Sequence, residues 1–181
     1  MGEYLYRRAT AEDIDAVSSI YDRSIDSQAE NYARTGSITG WKKGLYPARS
    51  TAEESLERGD LFVAEKDGKV VATAIINQEQ VDVYATGRWK HAVPDNQVMV
   101  LHTLVVDPDC AAHGIGRGFL DFYEQYAREH GCTELRIDTN VTNTIAHRFY
   151  NKIGYEDIGI APTVFNGIEG VNLLMMEKYI G

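Results

Sequence analysis

The spacing of apolar positions changes several times along the chain, and each change predicts an element. Residues 3–8 alternate Tyr4 and Tyr6 against Leu5 and Arg7, which suits a first strand. Ile14, Val17, Ile20, Tyr21 and Ile25 then recur every three or four residues, behind a Thr10 cap with acids in the first turn. That is the stripe of an amphipathic helix. Residues 50–58 carry a second cap signal, Ser50 or Thr51 followed by Glu53 and Glu54. Two apolar runs, 61–66 and 69–77, are joined by Asp67-Gly68, a strong hairpin signal. Residues 98–106 read Val-Met-Val-Leu-His-Thr-Leu-Val-Val, the pattern of a strand buried on both faces, and Asp107-Pro108-Asp109 stops it. Ile115, Phe119, Phe122, Tyr123 and Tyr126 start a long helix that runs to His130, with Gly131 placed as its C′ residue. A strand over 134–139, a loop and helix over 140–153, and two closing strands, 156–160 and 171–179, complete the chain.

Two segments are harder to read. Residues 28–49 mix Gly36, Gly40, Gly44 and Pro47 with Tyr32, Trp41 and Tyr46, which suggests a partly ordered lid or a cover on the core edge. Residues 78–97 form a polar connection whose Trp89 reaches a site or simply packs. Without a repeat or a linker, the expectation is one α/β domain over residues 1–181.

Composition narrows the class. The chain has 181 residues, 44% of them hydrophobic and 25% charged, the proportions of a globular domain. No apolar run approaches transmembrane length and no signal peptide opens the sequence, so a soluble, cytoplasmic protein is expected. Tyr6 stands where a myristoylation signal needs Ser or Thr. The net charge of −9 disfavours nucleic acid and leans toward cationic partners. Cys110 and Cys132 read as free thiols, and no His/Cys cluster has metal-site spacing, so no metal is expected.

The candidate chemistry begins at Gly114, Gly116 and Gly118, which open the long helix directly after the central strand and its turn. A Gly-studded helix start presents free backbone N–H groups and a positive dipole end, a ready site for phosphate or pyrophosphate. The P-loop pattern fails because Phe119 and Leu120 follow the last Gly. The dinucleotide fingerprint fails because seven residues separate Val106 from Gly114.

The stretch instead resembles the GNAT superfamily of acetyl-CoA-dependent N-acetyltransferases. Val105-Val106-Asp107-Pro108 followed by Gly114-Ile115-Gly116 matches that family's central motif, although Ala111 falls where Arg or Gln is usual. Asn143, Ala146, Tyr150 and Gly154-Tyr155 match its second motif. The resemblance implies a single-domain α/β fold. Its sheet is mixed and mostly antiparallel, with six or seven strands flanked by about four helices and a splay at the central strand. It further implies acetyl-CoA as donor, its pyrophosphate on the amides of His113, Gly114, Ile115, Gly116, Arg117 and Gly118 and its pantetheine arm beside Leu104, Val105 and Val106. Residues 28–60 would form the variable acceptor side.

Direct acetyl transfer within a ternary complex needs a neutral amine, a donor to the oxyanion and a proton for the leaving thiolate. The resemblance places Tyr150 as the acid, the Leu104 N–H as the oxyanion donor, and Asn143 on the pantetheine arm or as a helix N-cap. His102 is the candidate base: it is a polar residue in an apolar strand, and strict alternation puts it on the same face as Leu104. Its alternative is a satisfied core histidine. Thr103, on the other face, is read as structural. Arg117 either meets a phosphate or is a solvated helix residue. The expected acceptor is a small primary amine of cationic character, with no nucleic-acid or membrane partner and a homodimer left open. The competing reading, a non-catalytic acyl-CoA-binding or regulatory domain of the same fold, is disfavoured by the presence of Tyr150.

Overall fold

The computed structural model describes residues 4–110 and 114–181. Seven strands form one sheet: β1 (Leu5–Arg8), β2 (Leu61–Lys66), β3 (Lys69–Asn77), β4 (Val98–Val106), β5 (Glu134–Asn140), β6 (Glu156–Phe165) and β7 (Ile168–Tyr179). Their spatial order is β1-β2-β3-β4-β5-β7-β6, and only β4 and β5 run parallel. Five α-helices lie among the described residues, α1 (Ile14–Asp26), α2 (Gln28–Thr35), α3 (Arg49–Arg58), α4 (Ile115–Glu129) and α5 (Thr144–Lys152). The extra one is α2, inside the segment expected to be a lid. It buries no residue, which is why it carries no hydrophobic stripe, and it ends on Gly36 in the left-handed conformation.

Both hairpins follow from their turns. Asp67-Gly68 and Asn166-Gly167 all have positive φ, as a two-residue turn of type I′ requires. Because the second turn needs only two residues, β6 and β7 extend much further toward it than the apolar runs suggest. Helix α3 begins one residue earlier than expected, with Thr51 Oγ1 accepting the Ala48 N–H. Gly131 has φ +74°, as its expected C′ place demands.

The sheet is covered on both faces. Helices α4 and α5 pack Phe119, Leu120, Tyr123 and Tyr150 against Phe62, Met99, Leu101, Leu135 and Ile137. On the other face α1 and α3 pack Val17, Ile20, Tyr21 and Ala52 against Leu61, Val63, Ile75 and Val105. The pairing of β4 with β5 runs from Val98↔Glu134 to Leu101↔Ile137 and then stops, although both strands continue. The Tyr123 hydroxyl lies 2.6 Å from the Met99 carbonyl and 3.2 Å from the Arg136 carbonyl, holding the two strands together just before they part. The splay expected at the central strand is therefore present.

Candidate active site

The parting of β4 and β5 opens a cavity of about 180 Å³ lined by Leu104, Val106, Asp138, Asn143 and Tyr150. Its β4 wall is irregular. Thr73 pairs with Val105 and Ile75 with His102, so β4 has one residue more than β3 between those pairs. Thr103 sits in this bulge with φ +50°, and Leu104 has no pairing partner on β3 or β5. A bulge leaves backbone groups outside the ladder, and here they border the splay.

The bulge also overturns the expected geometry of His102. Val105 packs with the α1/α3 core, whereas Leu104 and Val106 pack with the α4/α5 core. His102 lies opposite Leu104, because the extra residue reverses the alternation. It lines a second cavity of about 660 Å³ on the α3 side and not the one at the splay. Its Nε2 is 3.0 Å from Asn77 Oδ1 and 3.1 Å from the Glu79 carbonyl, two acceptors, so this nitrogen carries the proton. Burial depresses the imidazole pKa to about 4, leaving a weak base.

Thr103 has the structural role expected of it. Its hydroxyl hydrogen-bonds the Tyr46 hydroxyl, and Tyr46, Phe165 and Leu173 line both cavities. The two spaces therefore meet at this wall. The segment over 28–49 is docked there: Ile38 N–H donates to the Thr142 carbonyl at 3.0 Å, and Ser37 Oγ accepts the Ile145 N–H at 3.1 Å. Trp89 packs, with its indole N–H donating to the Tyr84 carbonyl at 2.8 Å.

At the start of α4, Gly114 is the N-cap with φ +77°, and the Gly118 N–H already donates to the Gly114 carbonyl at 2.9 Å. The unclaimed helix amides are those of Ile115, Gly116 and Arg117. Gly118 drops out of the expected cradle: its amide is used, and a Cβ there would overlap the Tyr6 hydroxyl. That hydroxyl donates to the Ile115 carbonyl, so Gly118 is glycine to admit β1 against the helix. A Cβ at Gly116 would meet Phe149 and Val106 at 3.8 Å, ordinary contact, so no close approach requires glycine there. His113 and Ala111 lie outside the described residues. Arg117 is paired with Asp121 at 2.9 Å on the exposed face of the helix. Asp107 is paired with Arg23 at 2.5 Å.

Asn143 caps α5, its Oδ1 accepting the Ala146 N–H at 3.4 Å, and it lines the splay cavity at the same time. Tyr150 is buried in the α4/α5 core with its ring 5.8 Å from that of Tyr155. Among the described residues nothing hydrogen-bonds its hydroxyl, and burial raises its pKa above the ordinary tyrosine value. One residue of this cavity escaped the sequence reading of the chemistry. Asp138 of β5 accepts the Tyr84 hydroxyl at 2.8 Å, and burial raises its carboxyl pKa to about 6. Its signal was present in the alternation Glu134, Arg136, Asp138, Asn140 against Leu135 and Ile137 on the other face.

Comparison with known proteins identifies the family of this fold. The model of the acetyltransferase (GNAT) family matches residues 25–155. An N-acetyltransferase of Methanocaldococcus jannaschii, MJ1207, is 23% identical over 154 residues, which are 85% of this chain and 61% of that protein. The aminoglycoside N(6')-acetyltransferase type 1 of Stenotrophomonas maltophilia is 28% identical over 63% of this chain and 74% of its own. Among solved structures, a GNAT-family acetyltransferase from Streptococcus agalactiae superposes with a TM-score of 0.76 at 23% identity, covering 97% of this chain and 95% of that one. The Salmonella typhimurium protein yncA, solved with acetyl-CoA, gives 0.66 at 14% identity, covering 98% and 94%. The chain belongs to the acetyltransferase (GNAT) family: it is an acyltransferase that moves an acetyl group from acetyl-CoA to an amine nitrogen.

Proposed function

We propose that this chain acetylates a small, multiply charged amine that binds in the α3-side cavity and reacts at the wall shared with the splay. One observation carries the reading. The exposed acids Glu54, Glu79 and Asp82 line the larger cavity beside Arg58, whose charge is paired with Asp60 at 3.0 Å, and that cavity shares Tyr46, Phe165 and Leu173 with the space between β4 and β5. Acids of one sign around a cleft raise the local concentration of cations. The aminoglycoside acetyltransferases among the relatives support an acceptor of this class.

In this reading the amides of Ile115, Gly116 and Arg117 hold the donor's pyrophosphate, and the unpaired edge at Leu104 to Val106 takes its pantetheine arm. Asn143 contributes from the opposite side. The Leu104 N–H donates to the oxyanion. Tyr150, whose raised pKa keeps it neutral, stabilises the departing thiolate as a hydrogen-bond donor. Full proton transfer from it to a thiolate of pKa ~8.5 would be uphill. The amine's proton leaves by way of Asp138, whose pKa of about 6 suits it better than His102 at about 4. His102 holds Asn77 and the Glu79 backbone in the acceptor wall.

The experiment is an acetyl-CoA turnover screen over mono-, di- and polyamines, amino sugars and peptide N-termini. The expected result is a kcat/KM that climbs with the acceptor's positive charge and falls with salt. Preference for a neutral or anionic amine would overturn the acceptor class and leave the transfer chemistry standing.

A further inference from the structure

At the far end of β5 from Asp138, three metal-ligand side chains converge outside the acetyl-transfer site. Glu134 starts β5, Glu177 lies on the paired strand β7, and His91 comes from the connection between β3 and β4. One ligand atom from each lies within 4.8 Å of the others. Both carboxylates are buried, Glu134 at 0% exposure and Glu177 at 1%. Both oxygens of Glu134, Oε2 of Glu177 and Nδ1 of His91 are buried without a hydrogen-bond partner. Glu177 Oε1 accepts only the Lys90 N–H, at 2.9 Å.

We propose that His91, Glu134 and Glu177 bind a divalent transition-metal cation, of which zinc is the best fit, that pins the 78–97 connection to the sheet.

Three side chains that can all accept converge with four unpartnered atoms between them, and buried acceptors without donors are costly. Something positive must stand among them. A proton on Nδ1 does not fit the spacing: that nitrogen is 3.8 Å from Glu134 Oε2 and 3.9 Å from Glu177 Oε1, beyond hydrogen-bond range. A metal held by bonds of about 2.0–2.2 Å to nitrogen and oxygen spans such gaps with a small inward movement. An imidazole with two carboxylates, and no thiolate, suits zinc and its first-row neighbours. The His91 ring stacks on Tyr179 with centroids 4.2 Å apart, which fixes its aim.

Among the described residues Arg136 is the cation beside Glu134, at the outer limit of ion-pair range. Its guanidinium lies 3.8 Å over the Trp89 ring and donates to Gln80, while its Nε stays 3.8 Å from Glu134 without a hydrogen bond. One guanidinium against two carboxylates leaves negative charge uncompensated. The consequence reaches the acceptor side, because the same connection carries Asp82 of the cavity rim and Tyr84, the partner of Asp138.

The competing state is a proton shared between Glu134 and Glu177, and one experiment separates the two. Full-length protein without a histidine tag is dialysed against EDTA and titrated with zinc chloride, then with manganese chloride, by calorimetry, with parallel thermal melts. The expected result is one equivalent of zinc bound, a raised Tm, and affinity at least about 100-fold weaker in His91→Phe. That variant keeps the stack on Tyr179 and is half-exposed, so it should fold. Glu134→Gln should likewise lose the zinc-dependent rise in Tm. A folded wild type that binds neither metal overturns the proposal, as does binding that His91→Phe leaves unchanged. The readout is independent of turnover, so its failure is separable from that of the acetyl-transfer reading.

Discussion

His102 and Leu104, two residues apart on β4, project to opposite faces of the sheet because the bulge at Thr103 inserts one residue between them. The imidazole lines the α3-side cavity and Leu104 the cavity at the splay. Its pKa of about 4 lies below the ordinary histidine value of ~6.5, so the unfolded chain binds more protons between those values. Stability that His102 contributes is present above pH ~6.5 and is lost as pH falls toward 4. The variant His102→Gln, which can still donate to Asn77 or the Glu79 carbonyl, should flatten that acid loss. Melts from pH 7 to 4 test this. The acid limb of kcat/KM should keep its midpoint, and a limb that disappears would return His102 to the role of base.

Asp138 should behave in the opposite sense. Its pKa of about 6 stands above the ordinary ~3.9, so the folded state binds more protons in that window. The stability associated with its neutral form is present below pH ~3.9 and is lost as pH rises through 6, on the order of 3 kcal/mol by pH 7. Asp138→Asn still accepts the Tyr84 hydroxyl. It should raise Tm more at pH 7.5 than at pH 4, while kcat falls about 10²-fold or more and the acid limb near pH 6 vanishes. An unchanged kcat would remove Asp138 from proton transfer.

How far the sequence discloses this site depends on whether a feature is local. The turns at Asp67-Gly68 and Asn166-Gly167, the stop at Gly131 and the cap at Asn143 are each set by one or two residues, and all are legible. The bulge at Thr103 is not, since a one-residue excess exists only relative to β3. Helix α2 escaped because it buries nothing and so has no stripe. Gly118 misled, because Gly spacing looks the same whether a phosphate or the Tyr6 hydroxyl takes the room. The meeting of Glu134 with Glu177 depends on β5–β7 pairing, which no local pattern encodes.

The two helix-start glycines should separate cleanly. Gly116→Asp places its Cβ where the nearest atoms are 3.8 Å away, and an acid near a helix N-terminus suits the dipole. Its Tm should hold while acetyl-CoA affinity, read by calorimetry, is lost to the new negative charge. Gly118→Ala drives a methyl into the Tyr6 hydroxyl and should cost about 1–3 kcal/mol of stability. The folded fraction should still bind acetyl-CoA. Equal loss of affinity in both variants at matched folding would restore Gly118 to the cradle.

Tyr150 is buried in the core and also lines the cavity, so its two roles need a substitution that removes only the hydroxyl. Tyr150→Phe keeps the ring against Tyr155, and the lost hydroxyl has no hydrogen-bond partner among the described residues. Stability should therefore change by less than about 1 kcal/mol. If that hydroxyl stabilises the departing thiolate, kcat should fall about 10²–10³-fold, the usual cost of one donor aimed at developing charge. The KM for acetyl-CoA should hardly move, because the ground-state thioester carries no thiolate to stabilise. A better leaving group should recover part of the rate, since it needs less help from the donor. Steady-state kinetics with acetyl-CoA and an activated acyl donor, beside a thermal melt, make the comparison. A Phe variant that keeps most of its turnover would assign Tyr150 to the core alone and leave the thiolate to be protonated from solvent.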